Sequence, residues 1–128
     1  MLQIRQYRQF KDSEIAILIA GDQEGIAAFR TFLSKWDGSP VDVMKECSTF
    51  STTPNDNISH FFLRVSNHTE SARISETTLT WSISESQPRR IIDLCDGLLG
   101  AKGSGHQYLN NDGEAIDIIL SKDEYKLI

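Results

Sequence analysis

Short runs of the chain alternate apolar and polar residues, and two longer runs repeat their apolar residues at helical spacing. Residues 2–5 alternate, and residues 14–20 place Ile15, Ile17 and Ile19 on one side and Ala16, Leu18 and Ala20 on the other. Both runs predict strands, the second buried on both faces. Asp22 is then placed to cap a helix whose apolar stripe is Ile26, Phe29, Phe32, Leu33 and Trp36, with Gly38 as its stop and Pro40 beyond. Residues 39–58 mix turn formers with scattered apolar residues and keep no period, so they predict an irregular excursion with one short helical turn around 43–46.

Beyond the excursion, residues 60–66 carry Phe61, Leu63 and Val65 on one face, residues 67–71 read as a turn, and residues 72–75 as a short strand. Residues 78–84 turn Leu79, Trp81 and Ile83 inward and Thr78, Thr80 and Ser82 to water, as in a half-solvated antiparallel strand. Ser86 is placed to cap a second helix with Pro88 in its first turn, a buried stripe of Ile91, Leu94, Cys95 and Leu98, and Gly100 as its end.

The Gly/Ser-rich run 100–105 follows this helix. A phosphate-binding loop must precede a helix, where free amide groups and the positive end of the dipole lie. Its glycines therefore predict a left-handed cap and a flexible lead into a hairpin, residues 106–110 and 114–120, turned by Asn111, Asp112 and Gly113. The order strand, helix, strand, strand occurs twice, and the third element of each set opens with a similar word, His60-Phe61-Phe62-Leu63 and His106-Gln107-Tyr108-Leu109. Coincidence and duplication both explain this. The expected fold is a single α+β domain over 1–128: a mostly antiparallel sheet of about six or seven strands, two helices on one face, and two β-α-β-β halves if the repeat is real.

Composition is that of a globular chain, with 39 % hydrophobic and 24 % charged residues. The net charge of −5 opposes binding along a nucleic-acid backbone, which needs clustered Lys and Arg. No run is apolar and long enough to span a membrane, and the first residues lack the apolar core of a secretion signal, so a cytoplasmic location is expected. Cys47 and Cys95 have no C-x-x-C spacing, which predicts neither a disulfide framework nor a zinc ribbon.

Candidate chemistry is sparse. Ser104, His106, Asp112 and Asp117 suggest a serine triad, but a flexible loop after a helix supplies neither an oriented nucleophile nor oxyanion donors. His60, His68 and His106 include no H-x-H or H-x-x-H pair, so no metal and no cofactor are expected. Asp93 and Asp96, three apart on a helix, share a solvated face, and Arg89 and Arg90 in the first turn oppose the dipole and point to nearby acids or an external partner.

The tail of residues 105–125, with its G-H-Q-Y-L strand, following apolar strand and closing S-x-x-E-Y, resembles the C-terminal part of small bacterial immunity proteins of polymorphic toxin systems. Counting the preceding helix, the resemblance covers about a third of the chain. It implies a non-enzymatic cytosolic antidote that binds a cognate toxin protein. An acidic chain suits a basic toxin domain electrostatically, and Glu24, Asp42, Glu46, Asp112, Glu114 and Asp117 are the expected partner-binding residues. Two other readings stay open: a small enzyme or ligand-binding domain with a pocket near His60 and His106, and a structural domain that self-associates through a strand edge. The oligomeric state is left open.

Overall fold

The computed structural model describes residues 1–10, 13–47, 49–50, 58–66, 70–110 and 116–124, with side chains omitted at 9, 10, 13 and 14. In chain order the elements are β1 (Leu2–Phe10), β2 (Ser13–Gly21), α1 (Gln23–Lys35), β3 (Val41–Asp42), α2 (Val43–Glu46), β4 (His60–Val65), β5 (Ser71–Ser75), β6 (Thr78–Ile83), α3 (Gln87–Gly100), β7 (Gly105–Tyr108) and β8 (Ile116–Lys122). The chain is α+β, with eight strands in two mixed four-stranded sheets, ordered β1-β2-β8-β7 and β3-β4-β6-β5.

The single, mostly antiparallel sheet expected from the sequence is therefore corrected to two. Each has a parallel pair at its centre, β2 with β8 and β4 with β6, flanked by antiparallel strands. The twofold pattern is present, but its unit is different: β1-β2-α1-β3-β4, with the short α2 inserted between β3 and β4, is followed by β5-β6-α3-β7-β8. The leading hairpin of each half lies beside the closing pair of the other half, so each sheet is built from both. The similar words at His60 and His106 fall in β4 and β7, which occupy different positions in this pattern.

Alternation decides which residues reach the core. In the first sheet Leu2, Ile4, Ile17, Ile19, Ile118 and Leu120 point inward. In the second, Phe61, Leu63, Leu79, Trp81 and Ile83 do so. The buried stripes of α1 (Ile26, Phe29, Leu33) and α3 (Ile91, Cys95, Leu98) join them in one continuous cluster. The opposite face of β2 is also closed: Ala16, Leu18 and Ala20 are buried with Ile119 and pack against Tyr7. This is the double burial expected of that strand.

Helix α1 begins as its sequence predicts. The Asp22 carboxylate accepts the Gly25 amide at 2.8 Å and pairs with the Met1 amino group at 2.9 Å. After the helix, Gly38 adopts φ 89°, and its carbonyl accepts the Val65 amide at 2.9 Å. Within the helix, a Cβ at Gly25 would run into the Met1 carbonyl. Gly25→Ala is therefore expected to destabilise the fold. Overpacking costs about 1–3 kcal/mol against roughly 1 kcal/mol gained in helix propensity, and urea unfolding of the variant measures the balance.

The start of α3 departs from expectation. Ser86 occupies the cap position with helical backbone angles and its hydroxyl caps nothing; Pro88 supplies the preset turn instead. Arg89 pairs with Asp93 at 3.4 Å, and Arg90 donates to the Leu109 carbonyl at 2.8 Å, so the two basic residues of the first turn are used within the fold. Across the helix pair, the Arg30 guanidinium bonds Asp96 at 2.9 Å, and this contact holds the Asp96 carboxyl below the usual carboxylate range.

The end of α3 rests on a lysine. Lys122 is 3 % exposed, and its Nζ donates to the Leu98 and Ala101 carbonyls, both at 2.8 Å, and to Gln23 Oε1 at 3.2 Å. These carbonyls are among those a helix end leaves without partners, and a cation there also opposes the dipole. In the neighbouring strands the residues in register with Lys122 are Gly21 and Gly105.

Candidate functional site

The predicted excursion forms more than a loop. Val41–Asp42 pairs with β4 as the short strand β3, which the sequence reading missed, and Val43–Glu46 makes the expected helical turn. Asp42 holds this region together: its carboxylate accepts the Met44 amide at 3.2 Å and the Phe61 amide at 3.3 Å and contacts His60 Nδ1 at 3.0 Å. The excursion's remaining residues, 48 and 51–57, lie outside the described ones.

Between this region and α1 lies an open groove of about 720 Å³. Phe32, Trp36 and Val41 give it an apolar lining, Cys47 lies deep beside Thr49, and Asp37, Glu46 and Lys35 supply its charges. Phe32 and Trp36 stack at 6.3 Å with 18° between ring planes. The indole N–H donates to the Ser39 carbonyl at 2.8 Å, and the Asp37 carboxylate accepts from the Ser39 hydroxyl at 2.6 Å and amide at 3.0 Å. Those bonds, the hydroxyl first, hold the Asp37 carboxyl below its usual range, so the residue is a fixed negative charge at neutral pH. Glu46 is exposed and makes no hydrogen bond or ion pair among the described residues.

Of the six acids singled out in the sequence, the four among the described residues are spread over different elements. Glu24 is exposed in the first turn of α1, Asp42 and Glu46 flank the groove region, and Asp117 lies on β8 in the first sheet. Asp112 and Glu114 fall outside the described residues. Asp42 is committed to the local bonds given above, which leaves Glu46 as the member of the set that both lines the groove and stays available.

The two described histidines belong to different sheets. His60 opens β4 in the second sheet, and His106 lies on β7 in the first. Neither lines the groove beside α1, and His68 lies outside the described residues. His106 Nδ1 contacts Glu124 at 3.0 Å, and the same carboxylate accepts the Ser121 hydroxyl at 2.7 Å. The carboxylate thus sits between serine and imidazole. A triad needs the imidazole between them so that it can take the hydroxyl proton, and here Ser121 meets the carboxylate instead of the imidazole.

Burial, and the Asp96 carboxylate next to it, push the Cys95 thiol up to about 12, so it is neutral and unreactive at physiological pH. Both cysteines are free and buried. Neither is expected to react with an aromatic disulfide reagent until the chain unfolds; fast labelling of native protein would contradict this.

Among the described residues, no group of three or more His, Cys, Asp and Glu is gathered as a metal site would require. None of the helices is long and apolar enough to cross a membrane, again among the described residues. Comparison with protein-family models, curated proteins and solved structures finds nothing that matches this chain.

Proposed function

We propose that this chain is a non-enzymatic protein-binding module, an immunity-type antidote for a basic toxin domain, and that the groove beside α1 receives a basic, apolar-tipped segment of that partner. The groove itself carries the reading: stacked, half-buried Phe32 and Trp36 with Val41 at its centre, and the carboxylates of Asp37 and Glu46 against the single cation Lys35 at its rim. An apolar, aromatic centre with a polar rim is the anatomy of a protein interface, and an excess of negative charge selects a basic guest and speeds its approach. The net charge of −5 and the resemblance of the tail to immunity proteins support the same reading.

The test is protection. The chain is co-expressed with the toxin-like C-terminal domain encoded beside its own gene, and growth and complex formation are measured. Trp36→Ala combined with Glu46→Lys is expected to weaken the complex at least about a hundredfold and to abolish rescue, because an aromatic anchor and a rim charge are lost together. Failure of the unaltered chain to protect overturns the antidote reading. Undiminished protection by the double variant overturns the assignment of the groove.

A further inference from the structure

Beyond its β3 edge, where Asp42 bonds His60, the outer face of the second sheet has a character opposite to that of the rest of the chain. Across its three longer strands the outward residues run in register as His60-Thr78-Ser75, Phe62-Thr80-Arg73 and Arg64-Ser82-Ser71. None of these is a carboxylate, in a protein with 18 acidic residues and a net charge of −5. Arg64 and Arg73 stand in adjacent rows on opposite sides of β6, diagonally across Thr80 and Ser82. The space between them is a cavity of about 320 Å³ lined by Arg64, Arg73, Ser71, Ser75, Thr80 and Ser82.

Two details make this more than an exposed sheet. Ser82, expected to face water, is 3 % exposed, and its hydroxyl accepts Arg64 Nε at 2.9 Å, so the guanidinium is anchored while its other N–H groups make no bond among the described residues. Arg73 is exposed and makes no hydrogen bond or ion pair among the described residues. Two guanidiniums bordering one hydroxyl-lined cavity repel each other until an anion lies between them, and both are suited to bidentate contact with a carboxylate. At the edge of the cavity Phe62 is 40 % exposed and stacks on His60 at 5.8 Å.

We propose that this face is a docking surface for an acidic protein segment, with Arg64 and Arg73 gripping its carboxylates and Phe62 packing against its apolar side chains. The openness of the cavity requires an anion carried by a body large enough to cover it, and exposed aromatic and arginine side chains are the usual anchors of such contacts. Nucleic acid is disfavoured because two arginines do not offset the repulsion of a chain with net charge −5. A second copy docking by the same face would set arginine against arginine. The surface is distinct from the groove beside α1 and does not depend on its role.

Amide and arginine Nε–H NMR signals of the whole chain, titrated separately with hexaglutamate, an alternating Glu/Leu hexapeptide, inorganic phosphate and hexathymidylate, test the proposal. Hexaglutamate is expected to shift signals of β4, β5 and β6, with its affinity about tenfold weaker in an Arg64→Ala, Arg73→Ala double variant and only partly restored with lysine at both positions, because lysine keeps the charge and loses the bidentate fork. The alternating peptide is expected to bind more tightly, an advantage lost in Phe62→Ala. Absence of any peptide response up to millimolar concentration overturns the proposal, as does a response unchanged in the double alanine variant. Phosphate binding as tight as hexaglutamate would make this a small-anion site, and tighter hexathymidylate binding a nucleic-acid surface; either also overturns it.

Discussion

Replacing Lys122 by methionine is expected to lower stability by about 2–4 kcal/mol, read as a reduced urea midpoint with an unchanged slope. Methionine keeps much of the aliphatic stem, so packing between Gly21 and Gly105 is largely preserved and the loss is that of the ammonium. The Leu98 carbonyl would then lose a buried donor and the Ala101 carbonyl a part-buried one at the end of α3, and Gln23 would lose its contact with β8. Each hydrogen bond to a charged group is worth about 1.5–3 kcal/mol, offset in part because a buried ammonium need no longer be stripped of water. A change below about 0.5 kcal/mol would mean that water takes over both carbonyls. Since the same side chain contacts α1 and α3, amide exchange near Gln23 and near Leu98 should accelerate together.

The second large effect is expected at Phe61. Its ring is fully buried and stacks against Trp81 at 6.5 Å, between the sheet it belongs to and the shared core. Phe61→Ala removes the ring and leaves a cavity that the surrounding strands cannot close, because the backbone of β4 is bonded to β3 on one side and β6 on the other. A loss of about 3–5 kcal/mol follows, a large share of the roughly 5–15 kcal/mol by which domains are stable. The near-ultraviolet circular dichroism of Trp81 should weaken as well, since its ring loses the neighbour that fixes it. Phe62, next in sequence, is 40 % exposed on the other face, and Phe62→Ala is expected to change stability by less than about 1 kcal/mol. The pair tests the strand's alternation directly.

Faces were legible in the sequence and partners were not. Period-2 alternation correctly told inward from outward residues in β4 and β6, and the run from Ile15 to Ala20 announced burial on both sides. The Asp22 cap and the helical turn at Val43–Glu46 were visible because both rest on local chemistry. Which strands lie side by side is a long-range matter: β2 pairs in parallel with β8, about a hundred positions away, and nothing in either run encodes the other. β3 escaped notice because two residues carry no period.

The site was legible to a similar degree. Glu46 could be named as an exposed acid, but the groove it borders exists because β3 and α2 fold back beside α1, and Asp42, an equally acidic residue, was drawn into local bonding with His60 and two amides. The arginine pair on the second sheet was hidden for another reason. Arg64 and Arg73 look like scattered surface charges until β4, β6 and β5 are set in register. The signal that could have found them is the lack of acids at every outward position of these three strands.

The exchange of hairpins between the two halves bears on how the chain is made. During synthesis β2 emerges about a hundred residues before β8, the strand that covers its inner edge. Until then the run Ile15–Ile19 presents an unfilled apolar edge, open to strands of other nascent chains. Slow completion on the ribosome, at about 5–20 residues per second, lengthens that exposure. Crowded polysomes and overexpression at high temperature are thus the conditions in which this protein is most prone to aggregate, and slowing initiation should raise its soluble yield more than slowing elongation.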